Sequence, residues 1–312
     1  MKKQKATHLI AFLAVIPLVL AITIVIQKIT PLTSHALTNE MHTPVILVHG
    51  YNNRAGNCQG IDLATYWKKA KTQLINKAGI PAADVVPVSY YRCDNHGIDI
   101  TGYGPGISYP FTMTTGTLKP RAGHSNKVSI SLIAKDLAWF IYNEYTLKSQ
   151  PVNLVGHSMG GLVSREALRR VQAGDPTFPP SIDVSKVLTI STPHNGWGTQ
   201  CKSNTECAEM SDGSAFLAEL QTNPAPQGSN GTTWWAMGTS GGTSGTGSYV
   251  TSPCDFILPA SATAVSGTHL IYTKPCYKHN AYLTDDSQAL DAVGSAELGG
   301  RHSLAMMVEI MK

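Results

Sequence analysis

Past residue 36 this chain has no excess of positive charge. Residues 1–36 hold Lys2, Lys3, Lys5 and Lys28 and no acid. Setting them aside takes the formal net charge of the chain from +4 to 0. Without a basic surface there is no electrostatic footprint for nucleic acid, which is excluded as a partner. None of the six cysteines forms a C-x-x-C pair or stands at zinc-ligand spacing from a histidine. No metal site and no cofactor are expected. There is no internal repeat, which excludes a solenoid or propeller. Charge is scarce throughout, at 14% of residues against 42% hydrophobic, as in a globular protein with a lightly charged surface. A monomer is expected.

What is present begins with a targeting segment. The three early lysines are followed by an apolar run from Leu9 to Ile26, broken only by Pro17 and Thr23, and then by Ser34-His35-Ala36. This pattern reads as a secretory signal, residues 1–36, cut after Ala36. The run is also nearly long enough to span a bilayer, so an uncleaved anchor at residues 9–26, on the outer face of the membrane, is the alternative. Residues 37–43 read as a linker and 44–312 as one domain. An even number of cysteines in an exported chain favours disulfides. Nearest-neighbour pairing gives Cys58–Cys93, Cys201–Cys207 and Cys254–Cys276 as the expected set.

Along the domain, β-branched apolar runs alternate with amphipathic stretches. Strands are expected at 44–53, 84–91, 152–155, 185–192, 232–238 and 268–273, the last of these closing the sheet. Helices are expected at 62–79, 127–146, from Met159 onward, at 214–221, 287–294 and 303–312. Strand–helix alternation implies crossover connections, hence a mainly parallel sheet flanked by helices, an α/β fold. Residues 195–250 break the rhythm and read as a cap-like insertion. It includes the Gly/Ser-rich run "TSGGTSGTGSY" at 239–249.

One stretch concentrates the chemistry. In "VNLVGHSMGGLVSREALRR" a strand runs into Gly156-His157-Ser158-Met159-Gly160 and out into a helix. A serine on so sharp a turn is held in strained φ/ψ with its hydroxyl clear of the backbone, and the flanking glycines leave room for the fold-back. Ser158 is therefore the candidate nucleophile. Negative charge building on a substrate oxygen needs backbone N–H donors. Met159 at the helix start supplies one, and Tyr51 in "VHGY" (48–51) is the candidate for the other. The base must be a histidine beyond Ser158. His194 comes too soon after its strand, His269 lies within one, and His302 opens a terminal helix; His279 stands on a loop after the 268–273 strand and is the candidate. The acid should precede it. Asp255 is preferred to Asp212, whose position at a helix start N-capping explains, and to Asp285 and Asp286, which follow the histidine. A Cys254–Cys276 bond would tie the acid loop to the histidine loop.

The pieces "PVILVHGYN", "VNLVGHSMGGLVSREAL", "VLTISTPHNGWG", "CDFILPASA" and "HNAYLTD", in this order from Pro44 to about Leu290, resemble the secreted bacterial lipases and esterases of the α/β-hydrolase superfamily. "HSMGG" and "STPH.G" are also similar to the GPI-inositol deacylase-like hydrolases. The resemblance implies the α/β-hydrolase fold, with Ser158, Asp255 and His279 as a triad and Tyr51 and Met159 as oxyanion donors. It further implies lipid or other ester substrates cleaved through an acyl-enzyme, with contact at a membrane or lipid interface left open. An acyltransferase or lipid deacylase using the same residues, and a catalytically silent binding protein, are the competing readings. No long amphipathic lid helix is visible, though residues 198–230 could serve as a cover.

Overall fold

The computed structural model describes residues 42–106, 123–197, 203–240, 254–257 and 259–312. The signal or anchor segment, most of the linker, Cys201 and residues 241–253, with nearly all of the Gly/Ser-rich run, lie outside the described residues.

Among the described residues eight strands form one sheet: β1 (Val45–Val48), β2 (Val85–Ser89), β3 (Ile98–Asp99), β4 (Val152–His157), β5 (Val184–Ile190), β6 (Thr233–Thr239), β7 (Thr268–Lys274) and β8 (Val293–Gly294). Their spatial order is β3-β2-β1-β4-β5-β6-β7-β8. Every pairing from β3 through β7 is parallel, and β8 adds antiparallel to β7. The reason is legible in β1. Its four residues, VILV, are all buried, because a parallel strand covered on both faces needs apolar side chains in both directions. Val45 and Leu47 enter one apolar cluster and Ile46 and Val48 the other, the period of two expected of a strand.

Helices cover both faces. Among those described are α1 (Leu63–Tyr66), α2 (Lys68–Asn76), α3 (Ile130–Glu144), α4 (Met159–Gln172), α5 (Thr205–Glu209), α6 (Ala215–Gln221), α7 (Pro259–Thr263) and α8 (Ser303–Met311). α3 and α4 contribute Ile133, Leu137, Leu162 and Leu168 to one cluster; α2 and α8 contribute Leu74, Leu304 and Met307 to the other. Local signals set the ends. Asp62 caps α1 by accepting from Ala64 N, and Ser129 caps α3 by accepting from Ser131 N. The Glu209 carboxylate adds a second acceptor at the α3 N-terminus, at 2.7 Å from Ile130 N.

Four expectations are corrected. The 62–79 helix is two helices, broken at the fully buried Trp67. Residues 287–294 are not helical: Asp285 accepts from Ser287 N and Ser287 Oγ from Ala289 N, and such side-chain-to-backbone bonds draw the chain away from a helix. That segment ends instead in β8, so 268–273 does not close the sheet. The 214–221 helix is capped by Ser214, not by Asp212.

The Cys58–Cys93 and Cys254–Cys276 bonds are formed, with Cα atoms 5.3 and 5.1 Å apart. Cys207 is also disulfide-bonded. No described helix is long and apolar enough to cross a membrane. A mostly parallel eight-stranded sheet between two helical layers is the α/β-hydrolase fold.

Candidate active site

The turn between β4 and α4 is built by close approach. A Cβ on Gly160 would lie 2.1 Å from the Val48 carbonyl oxygen, and one on Gly156 would lie 2.6 Å from Gly161 N. Neither position accepts a side chain, so β1, β4 and the start of α4 pack backbone to backbone. Ser158 sits between them at φ 56°, ψ −129°, a conformation that a residue with a Cβ rarely adopts. The other side of the turn is contributed by β1: a Cβ on Gly50 would be 2.8 Å from Ser158 Cβ.

Ser158 lines a cavity of about 640 Å³ together with Tyr51, Trp197, Phe256 and His279. These five residues come from five separate parts of the chain. Tyr51 follows β1, and its N–H carries no hydrogen bond among the described residues. Met159 is the first residue of α4, where backbone N–H groups have no intrahelical acceptor. Both predicted oxyanion donors thus flank Ser158.

His279 and Asp255 are brought together by their loops. His279 Nδ1 lies 3.1 Å from Asp255 Oδ1, and the carboxylate is almost fully buried. Asp255 Oδ1 also accepts from Ile257 N at 3.2 Å. The disulfide joins the residue before the acid, Cys254, to the loop that carries the histidine, at Cys276. His279 Nε2 has no partner among the described residues. It shares the cavity with the Ser158 hydroxyl, although no hydrogen bond closes between them; such contacts often tighten only with substrate bound.

The rejected histidines have other occupations. His194 is fully buried, with Nε2 3.0 Å from Thr189 Oγ1. His269 Nε2 contacts the Val265 carbonyl at 2.8 Å. His302 is held between Asp285 (2.7 Å) and Asp291 (2.6 Å), and these contacts raise its pKa against the opposing effect of burial. Asp286 pairs with Lys69 on the surface.

Sequence reading missed three participants. The first is His157, the residue before the serine. Its ring is buried, and burial followed by the nearby charge of His279 lowers its pKa to about 3, so it is neutral. Nε2–H donates to the His279 carbonyl at 2.9 Å, and Nδ1 accepts from Tyr66 O–H at 2.5 Å. The second is Tyr66, whose oxygen accepts from Gly50 N at 3.2 Å. Together they form a continuous chain, Gly50 to Tyr66 to His157 to His279, from the Tyr51 turn to the His279 loop. The third is Ser191, just past β5 and buried, whose hydroxyl donates to Asp255 Oδ2 and lies 2.7 Å from His279 Nδ1. Nothing local in "TISTPH" marks these contacts, because each partner is more than sixty residues away.

Close to Met159, at the start of α4, lies a buried acid. Glu206 of α5 is fully buried and accepts a hydrogen bond from Tyr91 O–H. Burial raises its pKa to about 9, so it is protonated at neutral pH. The same Tyr91 hydroxyl lies 3.8 Å from Met159 Sδ. Among the described residues no cluster of three or more His, Cys, Asp or Glu could hold a metal ion.

Comparison with known proteins finds partial similarities. Residues 128–207, running from the approach to α3 through β4, α4 and β5 into α5, match the family model of the PGAP1-like alpha/beta domain. The chain is 26% identical over 172 residues to Lipase 1 of Staphylococcus aureus, a match covering 49% of this chain and 24% of that lipase. The chain thus spans about a quarter of the length of that relative. Among solved structures it is similar to the product of gene lin2722 from Listeria innocua (15% identity, 87% of this chain and 94% of that one, TM-score 0.45). It is also similar to Aspergillus fumigatus lipase B (14% identity, 87% and 57%, TM-score 0.44). The chain has the α/β-hydrolase fold and is similar to these proteins over part of its length.

Proposed function

We propose that this chain is an extracytoplasmic serine hydrolase that cleaves carboxylic ester bonds of lipids. The observation that carries the reading is the cavity in which Ser158, held at a strained turn, meets His279, whose Nδ1 faces the buried Asp255. Ser158 Oγ attacks the ester carbonyl carbon while its proton passes to His279 Nε2. The oxyanion is received by the N–H groups of Tyr51 and Met159. Collapse breaks the bond to the alcohol, which leaves with the proton from His279. Water, deprotonated by the same nitrogen, then attacks the acyl carbon; the Ser158 Oγ–acyl bond breaks, Oγ takes the proton back from His279, and the carboxylic acid departs.

Support for a lipid substrate comes from the apolar cavity wall. Tyr51, Trp197 and Phe256 form a run of ring contacts at 6.2 and 5.8 Å, and Phe256 lies 4.3 Å from the His279 ring. Support for an oxidising, extracytoplasmic setting comes from the disulfides.

The test is hydrolysis of p-nitrophenyl esters from two-carbon to sixteen-carbon acyl chains by the chain from Leu37 onward, with Ser158→Ala as control. Serine-dependent turnover is expected, with the variant slower by about 10⁴-fold or more and its thermal melt unchanged. Full activity in Ser158→Ala would remove the proposal.

A further inference from the structure

We infer that Ser191 is a positioning residue for the acid–base pair: its hydroxyl bridges Asp255 and His279 and sets how strongly the carboxylate holds the imidazole. The inference rests on the hydrolase reading above. Ser191 is 1% exposed and stands at φ 49°, a backbone conformation unusual for a residue with a Cβ. It is pinned there because its N–H donates to the Met237 carbonyl at 2.8 Å, continuing the β5–β6 pairing one residue past the end of β5. The side chain is thereby carried into the space between the two loops joined by Cys254–Cys276.

A serine hydroxyl has one proton and two lone pairs. Asp255, ionised, can only accept, so Ser191 donates to Oδ2. The proton on His279 Nδ1 then faces two acceptors, Ser191 Oγ at 2.7 Å and Asp255 Oδ1 at 3.1 Å. The shorter contact is to the serine. Two consequences follow. The ring is aimed by two points instead of one, which fixes where Nε2 stands in the cavity. The carboxylate, already hydrogen-bonded by Ser191 and Ile257 N, pulls less on the imidazolium than a bare carboxylate would. The titratable groups facing the His279 ring are Asp255, from the loop after β6, and the neutral His157, from the end of β4; the buried Tyr282, from the segment after β7, faces Asp255, and Lys278, the chain neighbour of His279, is exposed.

Replacing the hydroxyl removes a donor from Asp255 Oδ2 and the nearer acceptor from Nδ1–H. The freed carboxylate favours the protonated imidazole, so the acidic limb of the rate profile moves to higher pH. The misaimed ring slows proton transfer from Ser158.

The experiment measures phosphonylation of Ser158 by a fluorophosphonate across pH, which requires no knowledge of the natural substrate. It also measures kcat and KM on p-nitrophenyl butyrate. Wild type, Ser158→Ala, Ser191→Ala and Ser191→Gly are compared, the glycine variant relieving the positive φ. Both Ser191 variants should label about 30-fold more slowly and lose a similar factor in kcat, with KM within about twofold. Their acidic limb should lie roughly half a pH unit or more above wild type. Wild-type rate and midpoint in Ser191→Ala would overturn the inference. So would recovery in Ser191→Gly alone, which would assign the effect to backbone strain. Should wild type fail to label at Ser158, or Ser158→Ala retain turnover, the hydrolase reading itself falls, and this inference with it.

Discussion

The Ser158 side and the His279–Asp255 side of the cavity are built by different rules. Around Ser158, five consecutive residues and one neighbouring strand do everything: Gly156 and Gly160 permit the fold-back, and β1 passes against it. Around His279, three segments distant in the chain converge: Ser191 after β5, Asp255 after β6 and the loop after β7. The first is dictated by local covalent geometry. The second exists only once β5, β6 and β7 are aligned in one sheet and Cys254 is bonded to Cys276. Damage to the first should therefore reach the fold, whereas damage to the second should reach the chemistry first.

The largest test of that contrast is Gly160→Ala. The new methyl meets the Val48 carbonyl at 2.1 Å, where backbone must move, so a loss of about 3 kcal/mol or more is expected, with β1 and β4 prised apart. Chemical denaturation measures it. A loss below about 1 kcal/mol would show that the turn tolerates a side chain and that its glycines are incidental.

Next in size is the buried acid on the Ser158 side. Glu206 keeps its proton in the folded state up to about pH 9, while the unfolded chain releases it near the ordinary 4.5. The folded state therefore binds more protons across that window, and stability falls as pH rises from about 4.5 towards 9. By pH 7 the deficit is on the order of 3 kcal/mol. Glu206→Gln, neutral and of similar shape, should remove this slope: more stable than wild type at pH 7, equal at pH 4.5. Parallel stability–pH curves for the two proteins would refute the buried protonated acid.

The smallest test addresses the link between the two sides. Tyr66→Phe leaves Gly50 N–H and His157 Nδ1 without their shared partner, at a cost of roughly 1–2 kcal/mol in stability. If the chain from Gly50 to His279 aligns the Tyr51 turn with the base loop, kcat should fall by about 10-fold, with KM little changed. A stability loss with kcat intact would mean that the chain only holds the fold.

How much of this was readable beforehand follows the same division. The elbow was legible because its signal is contiguous: a buried strand, a serine between glycines and an amphipathic helix. His279 and Asp255 could be chosen by chain order and by elimination, and the structure brings them within 3.1 Å. Ser191, Tyr66 and His157 were missed, since a serine, a tyrosine and a histidine carry no local mark of the partners they meet once folded; the nearest of these contacts, Tyr66 to Gly50, spans 16 residues and the farthest, His157 to His279, spans 122. The helix expected at 287–294 failed for a related reason. Its apolar spacing fitted, but Asp285 and Ser287 satisfied the backbone locally, and β7 offered an open edge for Val293 and Gly294.

The sequence by itself determined the alternation of strand and helix, the glycine-lined turn and the serine at its apex, because hydrophobic period and backbone sterics act between near neighbours. Only the tertiary structure decided which hydroxyl would stand between acid and base, and which ring would join the two halves of the site. Those choices depend on the register of separate strands and on burial, which turns an ordinary serine, tyrosine or histidine into a group that must find a hydrogen-bond partner.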